Sequence, residues 1–476
     1  MVGQTGQLNG RGADLLQEKC GVFGVYGQDF EAARLVYPGL FSLQHRGQES
    51  TGIAASDGKK IRLHRGLGLV AHAYQEADLV FLKGHLAIGH NRYSTSGGFA
   101  LSHAQPVMRE DSTIGLAHNG NLPSTKALEK FLARHHVPTD ESNDSEMMLD
   151  ALRVLMTRGA TLDEAIRDVY PLFTGAFSLL IMTRNAIAAV RDAHGLRPLS
   201  IGRLNGGYLF SSETCALDTV GAKVVRDVNP GELVIVDERG LHSVQLTRAH
   251  QHLDVFEFVY FARPDSLLLG KRVNEVRRTL GMHLAKESPR AADVVIPVPD
   301  SAIPAAEGYA EVSGIPVRTG LVKNRYIHRT FIQPEQHLRE KHVEMKLNPL
   351  PEAVAGKNVI VVDDSIVRGT TSRKLVAMIR RAGAKRVHLA ISSPPIRYPD
   401  FYGIDTPQQQ DLIASTMSIK KITTYIGADS LQYLSFDGMI AATGLPEGVF
   451  STSCFTGDYP IDIHERASDI VRVPAG

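Results

Sequence analysis

The chain has 476 residues, 43% hydrophobic and 22% charged, too long for one core and ordinary for a globular protein of two or three domains. Its 52 basic and 51 acidic residues nearly cancel, which removes the electrostatic footprint of a general nucleic-acid binder. No stretch approaches the apolar length of a membrane helix, and residues 1–19 lack the apolar middle of a signal peptide, so the expectation is a cytoplasmic enzyme that binds neither nucleic acid nor membrane.

Residues 1–19 are polar and glycine-containing, the composition of a terminal tail. Then Cys20-Gly21-Val22-Phe23-Gly24-Val25-Tyr26 reads as an alternating strand headed by a cysteine. Taken alone, such a cysteine is most often a buried core thiol. Three polar, glycine-bearing segments follow at 43–52, 89–97 and 117–122, and read as loops between apolar runs. Ser142-Asn143-Asp144-Ser145-Glu146 carries the residues of a helix start near Ser145. Beyond it, amphipathic helices at 147–152 and 162–166 precede strands at 177–182, 186–190 and 208–211. Glycine- and asparagine-rich turns separate these strands, as in a stacked antiparallel sandwich. Cys215 reads as a structural thiol.

A polar stretch at 240–253 marks a boundary. Past it, strands and helices alternate, the sign of a parallel sheet. A helix is expected at 271–285, a strand and turn over 293–301, and a helix over 302–312. Segment 320–346 is long, polar and basic with little periodicity. Structureless segments of that length inside a domain are usually lids or binding loops. Val359-Ile360-Val361-Val362 is a β-branched run suited to a strand buried on both faces. Asp363 and Asp364 end it. A loop with Ser365, Arg368, Gly369, Thr370, Thr371 and Ser372 leads into a helix on which Leu375, Met378 and Ile379 recur at helical spacing. Strand, loop and helix N-terminus together make an anion site. The two acids suit something attached to that anion, such as sugar hydroxyls or a metal ion.

Segment 359–372 resembles the 5-phosphoribosyl-1-pyrophosphate (PRPP) motif of type I phosphoribosyltransferases. Cys20 and the three polar segments resemble the class II glutamine amidotransferases, which are N-terminal-nucleophile hydrolases. From Cys20 nearly to its end, the chain resembles the glutamine PRPP amidotransferase family. That resemblance implies a propeptide over 1–19 and an α+β N-terminal-nucleophile (αββα) glutaminase domain over 20–245. An α/β type I phosphoribosyltransferase domain with a parallel sheet would fill 246–476. The implied reaction gives 5-phosphoribosylamine, pyrophosphate and glutamate from PRPP, glutamine and water, the committed step of purine synthesis.

By the same resemblance Cys20 is the nucleophile, with its own α-amine as base once the propeptide is removed. Asn119 and Gly120 would form the oxyanion hole, Arg92 would hold the glutamine carboxylate, and Asp144 its ammonium group. Lys323 and Arg325 would contact pyrophosphate, and the 365–372 loop the 5-phosphate. Asp363 and Asp364 would meet the ribose hydroxyls and, with Ser301, one Mg²⁺ per chain. Purine nucleotides as feedback inhibitors and a homotetramer are implied by the family alone. Two rival readings are another class II amidotransferase, which would lack the 359–372 motif, and a protein that senses PRPP without turnover.

One departure stands out. Many family members with a propeptide carry a four-cysteine iron–sulfur cluster, and the corresponding positions here read Asp254, Asp400, Ser451 and Cys454. With only Cys20, Cys215 and Cys454 in the chain, four-thiolate ligation is impossible. The purified chain should therefore lack a brown chromophore and stoichiometric iron. Iron near one cluster per chain would overturn this.

Overall fold

The computed structural model describes residues 17–18, 20–93, 101–324, 346–406 and 408–471. The N-terminal half contains two antiparallel sheets stacked face to face. Strand Gly21–Tyr26 shows why. It is buried along its whole length, and its side chains alternate between two cores. Val22 and Tyr26 join Ala117, Leu180 and Met182 between the sheets. Phe23 and Val25 point the other way, onto Val36 and Leu40 of helix Ala32–Ser42. The second sheet repeats the rule: Leu116, Leu179 and Ile181 turn outward onto Met148, Leu149 and Leu152 of helix Asp144–Thr157. Helix, sheet, sheet and helix follow from two strands that are each apolar on both faces. The expected αββα layering is therefore present.

The seven-stranded sheet runs Lys223–Asp227, Ser200–Leu204, Gly207–Ser211, Gly21–Tyr26, Leu86–Arg92, Ser50–Ser56, Ile61–Leu67. The six-stranded sheet runs Gly240–Gln245, Glu232–Asp237, Ile187–Arg191, Ala176–Met182, Gly115–Asn121, Val107–Met108. Segment 117–122 lies almost wholly on strand Gly115–Asn121, whereas 43–52 is a 3-10 turn and a connection that reach strand Ser50–Ser56 only at their end, and 89–92 closes strand Leu86–Arg92; residues 94–97 lie outside the described residues. Several of the polar side chains on these strands are buried. Asn91 Nδ2, for example, donates to the Leu40 carbonyl at 2.7 Å.

The C-terminal half is built on a parallel sheet of Val294–Pro297, Asn358–Asp363, Arg386–Ile391 and Ser430–Tyr433. The second of these strands is paired on both sides and covered on both faces. Ile360 and Val362 pack on helices Val273–Glu287 and Ile303–Ser313, while Val359 and Val361 pack on helix Thr370–Arg381. That double coverage explains the unbroken β-branched run. Among the described residues no helix is long and apolar enough to cross a membrane.

A buried chain of charges joins the two halves. Arg46 is 1% exposed. Its Nε donates to Glu213, and its Nη2 donates to Oε2 of Glu257 at 2.6 Å. Arg197 Nη1 reaches the other Glu257 oxygen at 3.3 Å and lies 3.7 Å from Asp254 Oδ2. Glu213 also accepts His45 Nε2 at 2.6 Å, Ser266 Oγ at 2.6 Å and the Arg263 N–H at 2.8 Å. Burial pushes the Glu213 carboxyl up, but Arg46, His45 and Ser266 outweigh it and hold it well below the usual range. Glu257 opens a π-helical turn, Glu257–Phe261, where the sequence offered no assignment. Arg277 fastens that turn by donating to the Phe258 and Ala262 carbonyls, each at 2.8 Å.

The positions Asp254, Asp400, Ser451 and Cys454 converge at this joint. Asp254 pairs with Ser451 between parallel strands, and Asp254, Asp400 and Cys454 feel one another's charge. Burial and the Asp400 charge push Asp254 up to about 8, more than Arg197 offsets. The folded carboxyl thus keeps a proton that the unfolded chain loses in the ordinary carboxylate range. Stability should consequently fall as pH rises from that range toward about 8. Asp254→Asn, neutral at every pH, should flatten the fall in melting temperature over this interval. An unaltered slope would place the proton elsewhere.

Candidate active sites

In the N-terminal domain, strand pairing collects the candidate residues. Gly21 pairs with Asn91, and Arg92 pairs with Ser50, so Cys20 and Arg92 share one end of the sheet. Cys20 is 8% exposed and takes φ 64°, a left-handed conformation that costs a non-glycine residue about 1–2 kcal/mol. Ser212 ties the second sheet to this end. Its Oγ accepts the Val22 N–H at 2.9 Å and faces Asn119 Nδ2 at 3.4 Å. Asn119 is fully buried, and its Oδ1 has no hydrogen-bond partner among the described residues. A half-turn of the amide would present a donor to the same space. At Gly120, φ is 154° and an added Cβ would lie 2.0 Å from the Ala176 carbonyl oxygen, so only glycine fits.

Asp144 is the first residue of its helix. The cap is Asn143, whose side chain accepts the Glu146 N–H, so the helix starts one residue earlier than the expected Ser145. Asp144 Oδ2 accepts the Leu122 N–H at 3.3 Å and lies 3.7 Å from His118 Nδ1. Two buried histidines brace the strand that bears Asn119. His118 Nδ1 bonds Ser145 Oγ at 3.0 Å, and His90 Nε2 donates to the His118 carbonyl at 3.0 Å. Burial drives His90 down to about 3, so it stays neutral with its proton on Nε2.

In the C-terminal domain, Asp363 ends its strand at the carboxyl edge of the sheet, where open α/β sheets bind ligands. Asp363 and Asp364 are 8% and 3% exposed. Burial and the Asp364 charge push Asp363 well up. Burial also raises Asp364, against the pull of Ser301, Ser365 and Arg277. Ser301 Oγ donates to Asp364 Oδ2, and Ser365 Oγ donates to Oδ1 at 2.7 Å. Gly369, at φ 78°, turns the loop into helix Thr370–Arg381. The helix therefore begins two residues before Ser372, and Thr370, Thr371 and Ser372 form the N-terminal turn that favours an anion. Arg368 lies 3.6 Å from Asp411. Lys323 ends strand Leu321–Lys323, and its Nζ donates to Asp300 Oδ2 at 2.7 Å, beside Ser301. Arg325 lies outside the described residues.

The donor set of Ser301, Asp363 and Asp364 is all oxygen and suits a hard cation such as Mg²⁺. Among the described residues, no group of three or more His, Cys, Asp or Glu is arranged to hold an ion. An ion held there would draw the rest of its shell from substrate oxygens and water, as Mg²⁺ prefers.

Two family models match the chain, a glutamine amidotransferase domain over residues 90–219 and a phosphoribosyl transferase domain over residues 270–398. The amidophosphoribosyltransferase of Synechococcus elongatus is 49% identical over 461 residues, which cover 95% of this chain and 93% of that one. The chain belongs to the amidophosphoribosyltransferase family. The Bacillus subtilis member is 45% identical over 94% of this chain and 96% of its own. A solved structure described as the allosteric regulatory enzyme of purine biosynthesis superposes with a TM-score of 0.88 at 45% identity. It covers 94% of this chain and 97% of its own. The B. subtilis PRPP amidotransferase complexed with ADP and GMP superposes with a TM-score of 0.87 at 45% identity, covering 94% and 98%. As an amidophosphoribosyltransferase, the chain is an enzyme, a glutamine-dependent pentosyltransferase.

Ser212, Asp300 and Arg277 belong to no motif and sequence reasoning missed them, and His90 and His118, though inside the 89–97 and 117–122 segments, were given no role. Each works through a contact with a residue distant in the chain. Asp364→Asn keeps the shape but removes a charge and one of the two acceptors that Ser301 and Ser365 use. It should lower kcat/KM for PRPP roughly tenfold or more, the weight of one charge-assisted contact. Unchanged PRPP kinetics would remove Asp364 from the site.

Proposed function

We propose that Cys20 releases ammonia from glutamine and that the Asp363–Ser372 segment holds the PRPP onto which it is transferred. The products are 5-phosphoribosylamine, pyrophosphate and glutamate. The observation that carries this reading is the union, in one chain with a bonded joint, of a cysteine-headed strand beside Arg92 and Asn119 with a paired-acid phosphate cradle.

Removal of residues 1–19 frees the α-amine of Cys20. An amide nitrogen is not basic, whereas an α-amine titrates near neutrality. The amine takes the thiol proton as sulfur adds to the glutamine side-chain carbonyl, and gives it to the departing nitrogen. Asn119 Nδ2 and the Gly120 N–H stabilise the oxyanion that forms. Arg92 and Asp144 hold the two charged ends of glutamine. Water then hydrolyses the thioester to glutamate and returns the thiol. Ammonia has to cross to the second site unprotonated, because ammonium has no lone pair to attack with. That requires a passage closed to bulk water.

At the second site, the N–H groups of Thr370, Thr371 and Ser372 and the hydroxyls of the loop hold the 5-phosphate, with Ser365, Arg368 and Gly369 shaping it. Asp363 and Asp364 orient the ribose through its hydroxyls. Lys323 and Arg325 take the pyrophosphate. Asp363, Asp364 and Ser301 would hold Mg²⁺, which would supply neutralisation of the leaving-group charge. The enzyme works in the cytoplasm as a homo-oligomer, a tetramer, and purine nucleotides restrain it. The nucleotide-bound B. subtilis structure supports that last point.

The processed enzyme should need glutamine, PRPP and Mg²⁺ together to release pyrophosphate and glutamate. Cys20→Ala should abolish glutamine-dependent turnover and leave ammonia-dependent turnover intact. Loss of both would show that the sites are not separate. Glutamate release without pyrophosphate would point to another amidotransferase, and PRPP binding with neither product to a sensor.

A further inference from the structure

An asparagine serves an oxyanion only while its amide nitrogen, rather than its oxygen, faces the reacting carbonyl. The two ends of an amide are alike in shape, so the hydrogen bonds around it decide which way it turns. Asn119 is fully buried, and among the described residues the side chain that meets its amide is Ser212, also fully buried and 3.4 Å away. Ser212 is itself held on both sides. Its N–H donates to the Val22 carbonyl at 3.0 Å and its Oγ accepts the Val22 N–H at 2.9 Å, which clamps it to the strand that Cys20 heads. On its flanks, Ser211 Oγ donates to the Glu213 carbonyl at 2.7 Å, and Arg46 holds the Glu213 carboxylate. A hydroxyl has one proton and two lone pairs, so after accepting from Val22 the Ser212 hydroxyl still has its proton to donate. Two arrangements of the amide fit the same atom positions. With Nδ2 toward Ser212, one amide hydrogen is spent on Oγ, and the buried Oδ1 has no partner among the described residues. With Oδ1 toward Ser212, the hydroxyl proton satisfies Oδ1 and the Nδ2 hydrogens face the opposite space. Those donors then wait for a substrate oxygen, as an oxyanion hole requires.

We propose that Ser212 is the positioning residue of the oxyanion hole: its hydroxyl donates to Asn119 Oδ1 and thereby aims Nδ2 at the carbonyl that Cys20 attacks. This rests on the reading of Cys20 as nucleophile and Asn119 as oxyanion donor. The same serine holds Val22, close behind Cys20 in the chain, so one side chain sets both the nucleophile's strand and the donor it works with. The 3.4 Å contact is long, as catalytic hydrogen bonds often are before substrate binds, and it tightens in the complex. A donor fixed in this way costs no reorganisation when the oxyanion forms.

The test compares Ser212→Ala, Asn119→Ala and the double variant in glutamine hydrolysis by the processed enzyme, whose start at Cys20 is checked by intact mass. Ser212→Ala should lower kcat roughly tenfold, the weight of the one hydrogen bond that holds the donor in place. KM for glutamine should stay at the wild-type value, because Arg92 and Asp144 are untouched. Formation and hydrolysis of the thioester both pass through an oxyanion, so kcat reports the loss whichever step is slower. Asn119→Ala should cost roughly a hundredfold in kcat. Adding Ser212→Ala to Asn119→Ala should then change kcat by less than about twofold, since no amide remains to aim. Alkylation of Cys20 by iodoacetamide forms no oxyanion and should run at the wild-type rate in Ser212→Ala. Ammonia-dependent turnover of PRPP shows that each variant is folded. An undiminished kcat in Ser212→Ala, an equal loss in the Asn119→Ala background, or slowed alkylation would overturn the positioning role and leave Ser212 as a brace for Val22. Wild-type kcat in Asn119→Ala would instead overturn the oxyanion role of Asn119, a separate and distinguishable failure.

Discussion

Arg46 sits between two carboxylates that belong to different domains, and the rest of the molecule is arranged around that fact. Glu213 comes from the half that holds Cys20, Glu257 from the half that holds Asp364, and neither is exposed to water. Removing one member of such a buried set leaves an uncompensated charge, at a cost of about 3–5 kcal/mol. The domains are therefore not free to drift apart on a linker. That rigidity matters for a reaction whose intermediate is a small neutral base, since any opening of the joint would admit water that protonates it.

The joint also reaches toward both chemistries. The stem of Arg46 packs against Gly21, next to Cys20. Glu257 begins the π-helical turn that Arg277 fastens, and the charge of Arg277 is felt by Asp364. A run of contacts thus leads from beneath the nucleophile to Arg277, whose charge acts on the paired acids from there. π-Helical turns cost hydrogen-bond geometry and cluster at functional positions. Here two of the turn's carbonyls are spent on a cation whose charge is also felt by Asp364.

What the sequence revealed was local, and what it hid was distant. Four consecutive β-branched residues at 359–362 could only be a strand covered on both sides, and Asp363 falls at its end as expected. The helix after it starts at Thr370 because Gly369, by adopting a left-handed conformation, ends the loop early. The 43–52, 89–97 and 117–122 segments were recognisable by residue type, yet the strands Ser50–Ser56, Leu86–Arg92 and Gly115–Asn121 that overlap them were not. Pattern reading treats His90, Asn91 and Asn119 as solvated, whereas each is buried, and His90, Asn91 and His118 reach partners on other elements. The joint was illegible for the same reason. Arg46 and Glu257 are 211 residues apart, and no periodicity links them.

The place where Asp254, Asp400 and Cys454 meet has a consequence for life in air. Burial, with the two neighbouring acids, keeps the Cys454 thiol protonated, and burial does the same for Cys215. A protonated thiol is a poor nucleophile and resists oxidation. Neither buried thiol is therefore a ready target for an oxidant.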